Sequence, residues 1–108
     1  MSSPSIVHVS VTCTHQREAR RIADALLRKK LVACANSWPV QSHYWWNGKR
    51  VNSREVLVVF KTLAKQAKHV EREIIRQHSY RVACITIGKV STNAACAAWA
   101  KQVITTKI

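Results

Sequence analysis

Glycine is scarce in this sequence of 108 residues, where Gly48 and Gly88 are the only two copies. Loops that cradle phosphate groups need clustered glycines, because their backbone must approach the ligand closely. The sequence therefore excludes dinucleotide-binding and P-loop fingerprints, and no nucleotide cofactor is expected. Long apolar runs are missing as well. None approaches the roughly 20 residues that a membrane-spanning helix needs, so no membrane span is predicted.

Acidic residues are few, with five Asp and Glu against eighteen Lys and Arg, and the formal net charge is +13. Glycoside hydrolysis needs a pair of carboxylates, and magnesium-dependent phosphoryl transfer needs carboxylate ligands. The sequence has few carboxylates for either reaction class. The positive charge instead predicts salt-sensitive binding to polyanions. Because Lys and Arg are spread over several predicted elements and form no single block, we expect this binding to be non-specific.

The four cysteines show no C-x-x-C spacing and lie inside apolar segments, at Cys13, Cys34, Cys84 and Cys96. This pattern is typical of reduced, buried cysteines and not of a disulfide framework. The first residues carry neither the basic segment nor the apolar segment of a secretory signal. The sequence therefore predicts a cytoplasmic location.

Hydrophobic periodicity divides the chain into seven predicted elements within a single domain over residues 1–108. Apolar residues alternate in the strands and recur every three or four positions in the helices. In chain order, the prediction is a strand over 6–13, a helix over 15–29, strands over 31–46 and 50–62, a helix over 64–77, a strand over 82–87 and a helix over 94–103.

Several boundary signals refine these elements. Thr14 is positioned to cap the first helix, and Ser91 or Thr92 to cap the last. The second strand is expected to be broken at Trp38-Pro39, because proline removes a donor from the hydrogen-bond ladder and favours an edge or a bulge. Gly88 is expected to end the last strand.

The element order β-α-β-β-α-β-α is that of the ferredoxin-like split β-α-β arrangement. It predicts an α+β fold with one antiparallel sheet and both main helices on one face. Asn47–Gly48 predicts a tight type I′ turn between the two middle strands, and the run Val56–Phe60, apolar on both faces, predicts a central strand. This chain leaves the opposite face of the sheet uncovered. Since exposed apolar area costs about 25 cal/mol per Å², the sequence also predicts self-association.

Several segments together resemble the CutA family of divalent-cation tolerance proteins. They are Val11-Thr12-Cys13-Thr14, Leu31–Asn36, Tyr44–Lys49, Glu55-Val56-Leu57, Phe60-Lys61-Thr62, His78-Ser79-Tyr80 and Trp99. Their order and spacing match over essentially the whole chain. The resemblance implies a homotrimer in which edge strands of neighbouring subunits pair. It also implies a non-enzymatic role in divalent-cation or copper tolerance.

The same resemblance implies a candidate metal site. Cys13 and His78 match positions linked with copper in some CutA proteins, and Cys84 stands where the family has a glutamate. Thiolate and imidazole ligands suit copper or zinc and not magnesium or calcium, so copper is the expected ion if these residues converge. The structural alternative makes Cys13 and Cys84 small buried hydrophobes and His78 a cation at a helix end.

The hairpin aromatics Tyr44, Trp45 and Trp46 are interpreted as anchors of a subunit interface. Stacking of Trp45 and Trp46 on nucleobases is the alternative. Adjacent residues on a strand point to opposite faces, however, so the two indoles form no continuous platform. Two other functions stay open: a basic nucleic-acid-binding module on the same scaffold, and a trimer that senses a small anion in clefts between its subunits.

Overall fold

A computed structural model describes residues 4–105 of the chain. The elements are β1 (Ser5–Cys13), α1 (Gln16–Arg28), β2 (Cys34–Trp46), β3 (Lys49–Thr62), a 3₁₀ turn (Ala64–Gln66), α2 (Ala67–Gln77), β4 (Ile85–Ser91) and α3 (Ala94–Thr105). Their order is the predicted one, and the α+β, ferredoxin-like fold class is confirmed. Within the described range, none of the helices has the length and apolar character needed to cross a membrane.

The four strands form one antiparallel sheet in the order β2-β3-β1-β4. Val9 on β1 lies between Phe60 on β3 and Ile87 on β4. The apolar run of β3 is central, as predicted, because β3 pairs with a neighbour on each side. The two edges of the sheet are therefore β2 and β4.

The hydrophobic core lies between one face of this sheet and the helices α1 and α2. Alternation along β1 directs Val7, Val9 and Val11 to this face, where all three are buried. The apolar faces of the two helices cover them, and Ile22 on α1 and Ile74 on α2 are completely buried. The two-residue period of the strands and the 3.6-residue period of the helices thus place their apolar side chains in one core, as the sequence pattern predicts.

The opposite face of the sheet is only partly covered. Ile6 points away from Val7 and is nevertheless buried, and α3 contacts β1 and β3 with Ala100 and Ile104 buried. Towards β2 the face is open, and Trp38 is 44% exposed. The uncovered face expected from the sequence is therefore reduced to the side near β2.

The β2–β3 hairpin extends beyond the rest of the sheet. β1 pairs with β3 only over Val56–Thr62, so residues 40–55 pair only with each other. We call residues 40–55 the hairpin arm. Its turn has the expected tight geometry, with φ of +51° at Asn47 and +76° at Gly48, which matches the positive φ values of a type I′ turn.

Two boundary predictions near the start of the chain are wrong. His15, not Thr14, is the N-cap of α1, because its Nδ1 accepts a hydrogen bond from the backbone N–H of Glu18 at 3.1 Å. The strand β2 is not broken at Pro39, which pairs in register with Val56. Since β2 is an edge strand, one side of it has no ladder partner, and proline is tolerated there.

The boundaries of the last strand and the cap of the last helix are also wrong. β4 begins at Ile85, three residues later than predicted, and Gly88 lies inside it opposite His8. The residues before it form an irregular loop in which Val82 is 64% exposed. Ser91 belongs to β4, and the carbonyl of Asn93 accepts the first bond of α3 from Ala97.

The cysteines are free, as predicted, but they are not all buried. Cys13 is buried, Cys34 and Cys96 are partly exposed, and Cys84 is exposed. The apolar neighbours of Cys84 suggested a buried strand, whereas the residue lies in the loop just before β4. Only Cys13 therefore behaves as the small buried hydrophobe expected of all four.

Candidate functional site

Three potential metal ligands meet where β1 ends. Cys13 is the last residue of β1, Glu18 lies in the first turn of α1, and His78 is the C-cap of α2. One ligand atom from each lies within 4.8 Å of the others. We call these residues the Cys–Glu–His cluster. It forms because a short turn folds the start of α1 back over the end of β1, while the packing of α2 brings its C-terminus to the same place.

Glu18 is an ionised carboxylate held by backbone donors. Its Oε1 accepts hydrogen bonds from the N–H and the hydroxyl of Thr14, and its Oε2 accepts one from the N–H of Ser79, each at 2.9 Å. Burial raises the pKa of Glu18, but the hydrogen bonds from Ser79 and Thr14 outweigh burial and lower the pKa to about 2. The negative charge is thus fixed in the interior by hydrogen bonding.

The side chain of His78 is completely buried and uses both ring nitrogens. Nε2 donates to the carbonyl of Thr12 at 2.7 Å, and Nδ1 accepts the backbone N–H of Tyr80 at 3.0 Å. A ring nitrogen that accepts carries no proton, so these partners assign the neutral tautomer with its hydrogen on Nε2. Nε2 also lies 4.0 Å from Oε1 of Glu18.

Cys13 is a protonated thiol. Burial raises its pKa to about 12, and the nearby charge of Glu18 acts in the same direction. Reactive cysteines have lowered pKa values and partial exposure, whereas Cys13 has neither. Without a bound ion, its side chain therefore acts as part of the core.

The chemistry of these donors fits a borderline or soft ion. Thiolate and imidazole ligands select copper or zinc, and an added carboxylate is compatible with either metal. In the described part of the chain, no buried side-chain nitrogen or oxygen lacks a hydrogen-bond partner. Metal binding must therefore remove the proton of Cys13 and exchange hydrogen bonds that Glu18 and His78 already make.

The structure brings together two of the three residues predicted from the sequence. Cys13 and His78 converge, whereas Cys84 lies outside the cluster, because the loop before β4 leaves it exposed. The sequence prediction missed Glu18, which takes the third position. The available signal was an acidic residue in the first helical turn after a strand that ends in cysteine.

The predicted interface residues lie near the tip of the hairpin arm and are exposed in the single chain. Trp45 is 70% exposed, Trp46 45% and Tyr44 37%. Alternation places Tyr44 and Trp46 on one face of the arm and Trp45 on the other. Their assignment to a subunit interface stays a prediction.

Comparison with known proteins gives a consistent result. The profile of the CutA1 divalent ion tolerance protein family matches residues 7–103. The chain is 39% identical over 77 residues to the divalent-cation tolerance protein CutA of Archaeoglobus fulgidus, covering 71% of this chain and 76% of that protein. It is 33% identical over 85 residues to the protein of the same name from Thermotoga maritima, covering 79% of this chain and 84% of the relative.

A solved structure of CutA from Archaeoglobus fulgidus superimposes with a TM-score of 0.89 at 31% identity, covering 93% of this chain and 98% of that one. That protein is described as the periplasmic divalent cation tolerance protein CutA. The cytoplasmic location predicted for the present chain is therefore wrong. It was inferred in part from unpaired cysteines, and a cysteine without a disulfide partner does not identify the compartment that surrounds the protein. The match over residues 7–103, together with the identity to these relatives, shows that the chain belongs to the CutA family of divalent-cation tolerance proteins.

Proposed function

We propose that this chain is a non-enzymatic, homotrimeric member of its family that binds copper through the Cys–Glu–His cluster. One observation carries the proposal. Among residues 4–105, this is the one group in which three His, Cys, Asp or Glu ligand atoms lie within 4.8 Å of one another. The family's link to divalent cations supports a metal ligand of some kind, and the donor types support copper.

The identity of the donors decides between the metals. Magnesium and calcium take oxygen ligands, and Glu18 is the only acidic member of the cluster. A thiolate from Cys13 and the imidazole of His78 suit copper or zinc. Copper is the better candidate, because soft thiolate ligands such as that of Cys13 select Cu(I), which is the copper ion of a reduced environment.

Metal binding is coupled to the loop over 78–84. The N–H groups of Ser79 and Tyr80 are bound to Glu18 and His78. If His78 becomes a ligand, the exchange of its ring hydrogen bonds removes the acceptor of the Tyr80 N–H, whereas Oε2 of Glu18 can keep the N–H of Ser79 when Oε1 binds the metal, so the loop loses one of its anchors. We therefore expect copper to loosen this loop, and a change of loop conformation offers a response to the metal that needs no chemical reaction.

The trimer is supported by the shape and surface of the chain. The hairpin arm projects from the sheet, and it carries three large aromatic side chains that are exposed in the single chain. Trp38 on the open sheet face adds to this apolar surface. Large exposed apolar patches mark interaction sites. In a trimer, the arm and the open sheet face of each copy can be buried against neighbouring copies.

Competition with a Cu(I) chelator on the reduced protein tests the copper proposal. Cys13→Ser and His78→Gln should each weaken Cu(I) binding at least tenfold, because each removes a ligand. Cys84→Ser and Cys96→Ser are matched controls and should bind as the wild type does. Equal affinity of all four variants would assign the metal to other residues and overturn the site.

Polyanion binding is a second candidate function, and the arrangement of charges on the helices favours it. α1 and α2 cover the same sheet face. Their outer surfaces and the 3₁₀ turn before α2 together carry eight exposed basic residues: Arg17, Arg20, Arg21, Arg28, Lys65, Lys68, Arg72 and Arg76. Such a surface attracts phosphate backbones without reading sequence. The salt dependence of DNA binding tests this function separately from copper.

A further inference from the structure

The helices α1 and α2 meet along a seam on the side of the sheet away from the open face. Basic side chains cross this seam from both helices. The guanidinium of Arg21 donates to the carbonyl of Gln77 at 2.7 Å, and Nζ of Lys29 lies 2.8 Å from Oε1 of Glu73. Arg76 pairs with Oε2 of the same carboxylate. Three cations are therefore held close together across the seam.

These contacts do not remove the three cations from solvent. The side chains of Arg21, Lys29 and Arg76 are between 48% and 66% exposed, whereas the acids that they approach, Glu18 and Glu73, are buried. A guanidinium has five N–H donors and an ammonium has three, so each group keeps donors that face water. The buried acids thus hold the cations in fixed positions, and a ligand that binds them has a small ordering cost.

Helical periodicity extends this row of cations along α1. Arg17 and Arg28 lie four residues before and seven residues after Arg21, so they share its flank of the helix, and both are exposed. We call these three residues, together with Lys29 and Arg76, the seam cations. The 13 residues of α1 span about 20 Å. Each strand of a duplex carries one phosphate per about 3.4 Å of helix axis, so this length matches about six base pairs.

The composition of the seam favours one class of polyanion over others. The exposed aromatic side chains in the described part of the chain lie elsewhere, on β2 and α3. Proteins that bind single-stranded nucleic acid rely on stacking of bases on aromatic rings, which the seam does not offer. The apolar faces of α1 and α2 are buried in the core, and the exposed Leu27 and Ile75 are single residues. Neither helix therefore has the continuous apolar face of a helix that enters a lipid surface.

We propose that the seam cations bind the phosphate backbone of double-stranded nucleic acid. This inference rests on the polyanion binding proposed above, and it adds a location and a partner. The seam stays accessible in the proposed trimer, because the trimer buries the hairpin arm and the open sheet face, whereas α1 and α2 cover the opposite face. Contacts to phosphates carry no sequence information, so the binding is independent of base sequence.

Fluorescence anisotropy of a labelled DNA duplex of about 20 base pairs, titrated with the assembled protein at several salt concentrations, tests the proposal. Arg17→Gln combined with Arg28→Gln removes two seam cations that take no part in the contacts across the seam. This variant should bind roughly tenfold or more weakly at about 50 mM salt, and its slope of log affinity against log salt should be shallower by about 1.8. The control, Arg20→Gln combined with Lys68→Gln, makes the same charge change on helix flanks turned away from the seam and should bind nearly as the wild type does.

Arg28→Gln alone keeps the test valid if the double variant fails to fold, and its slope should be shallower by about 0.9. A DNA single strand of the same length and phosphatidylserine vesicles are the competing partners, and both should bind more weakly than the duplex. Equal affinity of the seam variant and the control would overturn the seam but leave polyanion binding in place. Tighter binding to the single strand or to the vesicles would overturn the choice of partner. A wild type that does not bind the duplex even at low salt would overturn the polyanion function itself.

Discussion

Replacing Glu18 by glutamine should destabilise the protein substantially, although the change removes only a charge. The carboxylate accepts bonds from Thr14 and Ser79 and lies 3.7 Å from the guanidinium of Arg21. A glutamine keeps one oxygen acceptor and brings an NH₂ group toward backbone donors. At least one N–H that now binds Glu18 should lose its partner, and the loop over 78–84 should lose one of its anchors.

The size of the effect follows from the pKa. In the folded protein the pKa of Glu18 falls from 4.5 to about 2, and each unit corresponds to about 1.4 kcal/mol. The ionised carboxylate thus contributes on the order of 3 kcal/mol to the free energy of unfolding at neutral pH. Because the folded-state pKa is lowered, this contribution is present above pH 4.5 and is lost as pH falls from 4.5 towards 2.

Urea unfolding of metal-free protein measures both effects, at a fixed protomer concentration because assembly shifts apparent stability. Glu18→Gln should lower the free energy of unfolding at pH 7 by about 3 kcal/mol. It should also flatten the loss of stability between pH 5 and pH 3, relative to the wild type. Glu73, whose pKa is also lowered to about 2, contributes equally to both proteins and cancels in the comparison.

The control is Glu71→Gln. The Glu71 side chain is 31% exposed and pairs with Lys68 at 3.3 Å. Exposed ion pairs contribute little, so this variant should differ from the wild type by less than about 0.5 kcal/mol. A Glu18→Gln variant as stable as this control, with an unchanged acid profile, would refute the reasoning.

Three other predictions follow from the arm and from the net charge. Trp46→Ala should reduce the mass measured by light scattering below that of a trimer, since truncating a buried interface aromatic commonly costs about 2 kcal/mol or more. An unchanged mass and melting temperature would argue against the interface. Gly48→Ala should destabilise the protein by about 1 kcal/mol in urea unfolding, because the site has space for a methyl group but a φ of +76°; equal stability would contradict the turn assignment. DNA affinity should fall steeply between 50 and 500 mM salt and should not depend on base sequence; tight binding at the higher salt would instead indicate a dedicated nucleic-acid site.

The parts of the fold that could be predicted were those in which local pattern and tertiary environment agree. Alternation along β1 identified the buried face correctly, and Asn47–Gly48 fixed the hairpin because its positive φ values restrict the choice of residues. The loop before β4 misled the prediction. Its apolar residues look like a strand, but Val82 and Cys84 are exposed and the strand begins only at Ile85.

The candidate site was only half predictable for a related reason. Cys13 and His78 could be placed by resemblance, and their convergence is a property of the whole fold. Glu18 was missed because an acidic residue in a first helical turn is common and usually faces solvent. Only the packing of the loop after α2 turns it into a buried carboxylate held by Ser79. Cys84 was wrongly grouped with them because its exposure depends on where β4 begins.

X-ray absorption spectroscopy of the copper-loaded, reduced protein tests the central claim most directly, since it reports the atoms bound to the metal. The wild type and Cys84→Ser should both show one sulfur scatterer together with nitrogen or oxygen scatterers. Cys13→Ser should lose the sulfur signal, because no other cysteine belongs to the cluster. A wild-type spectrum without sulfur, or a sulfur signal that persists in Cys13→Ser, would contradict the assignment of copper to this site.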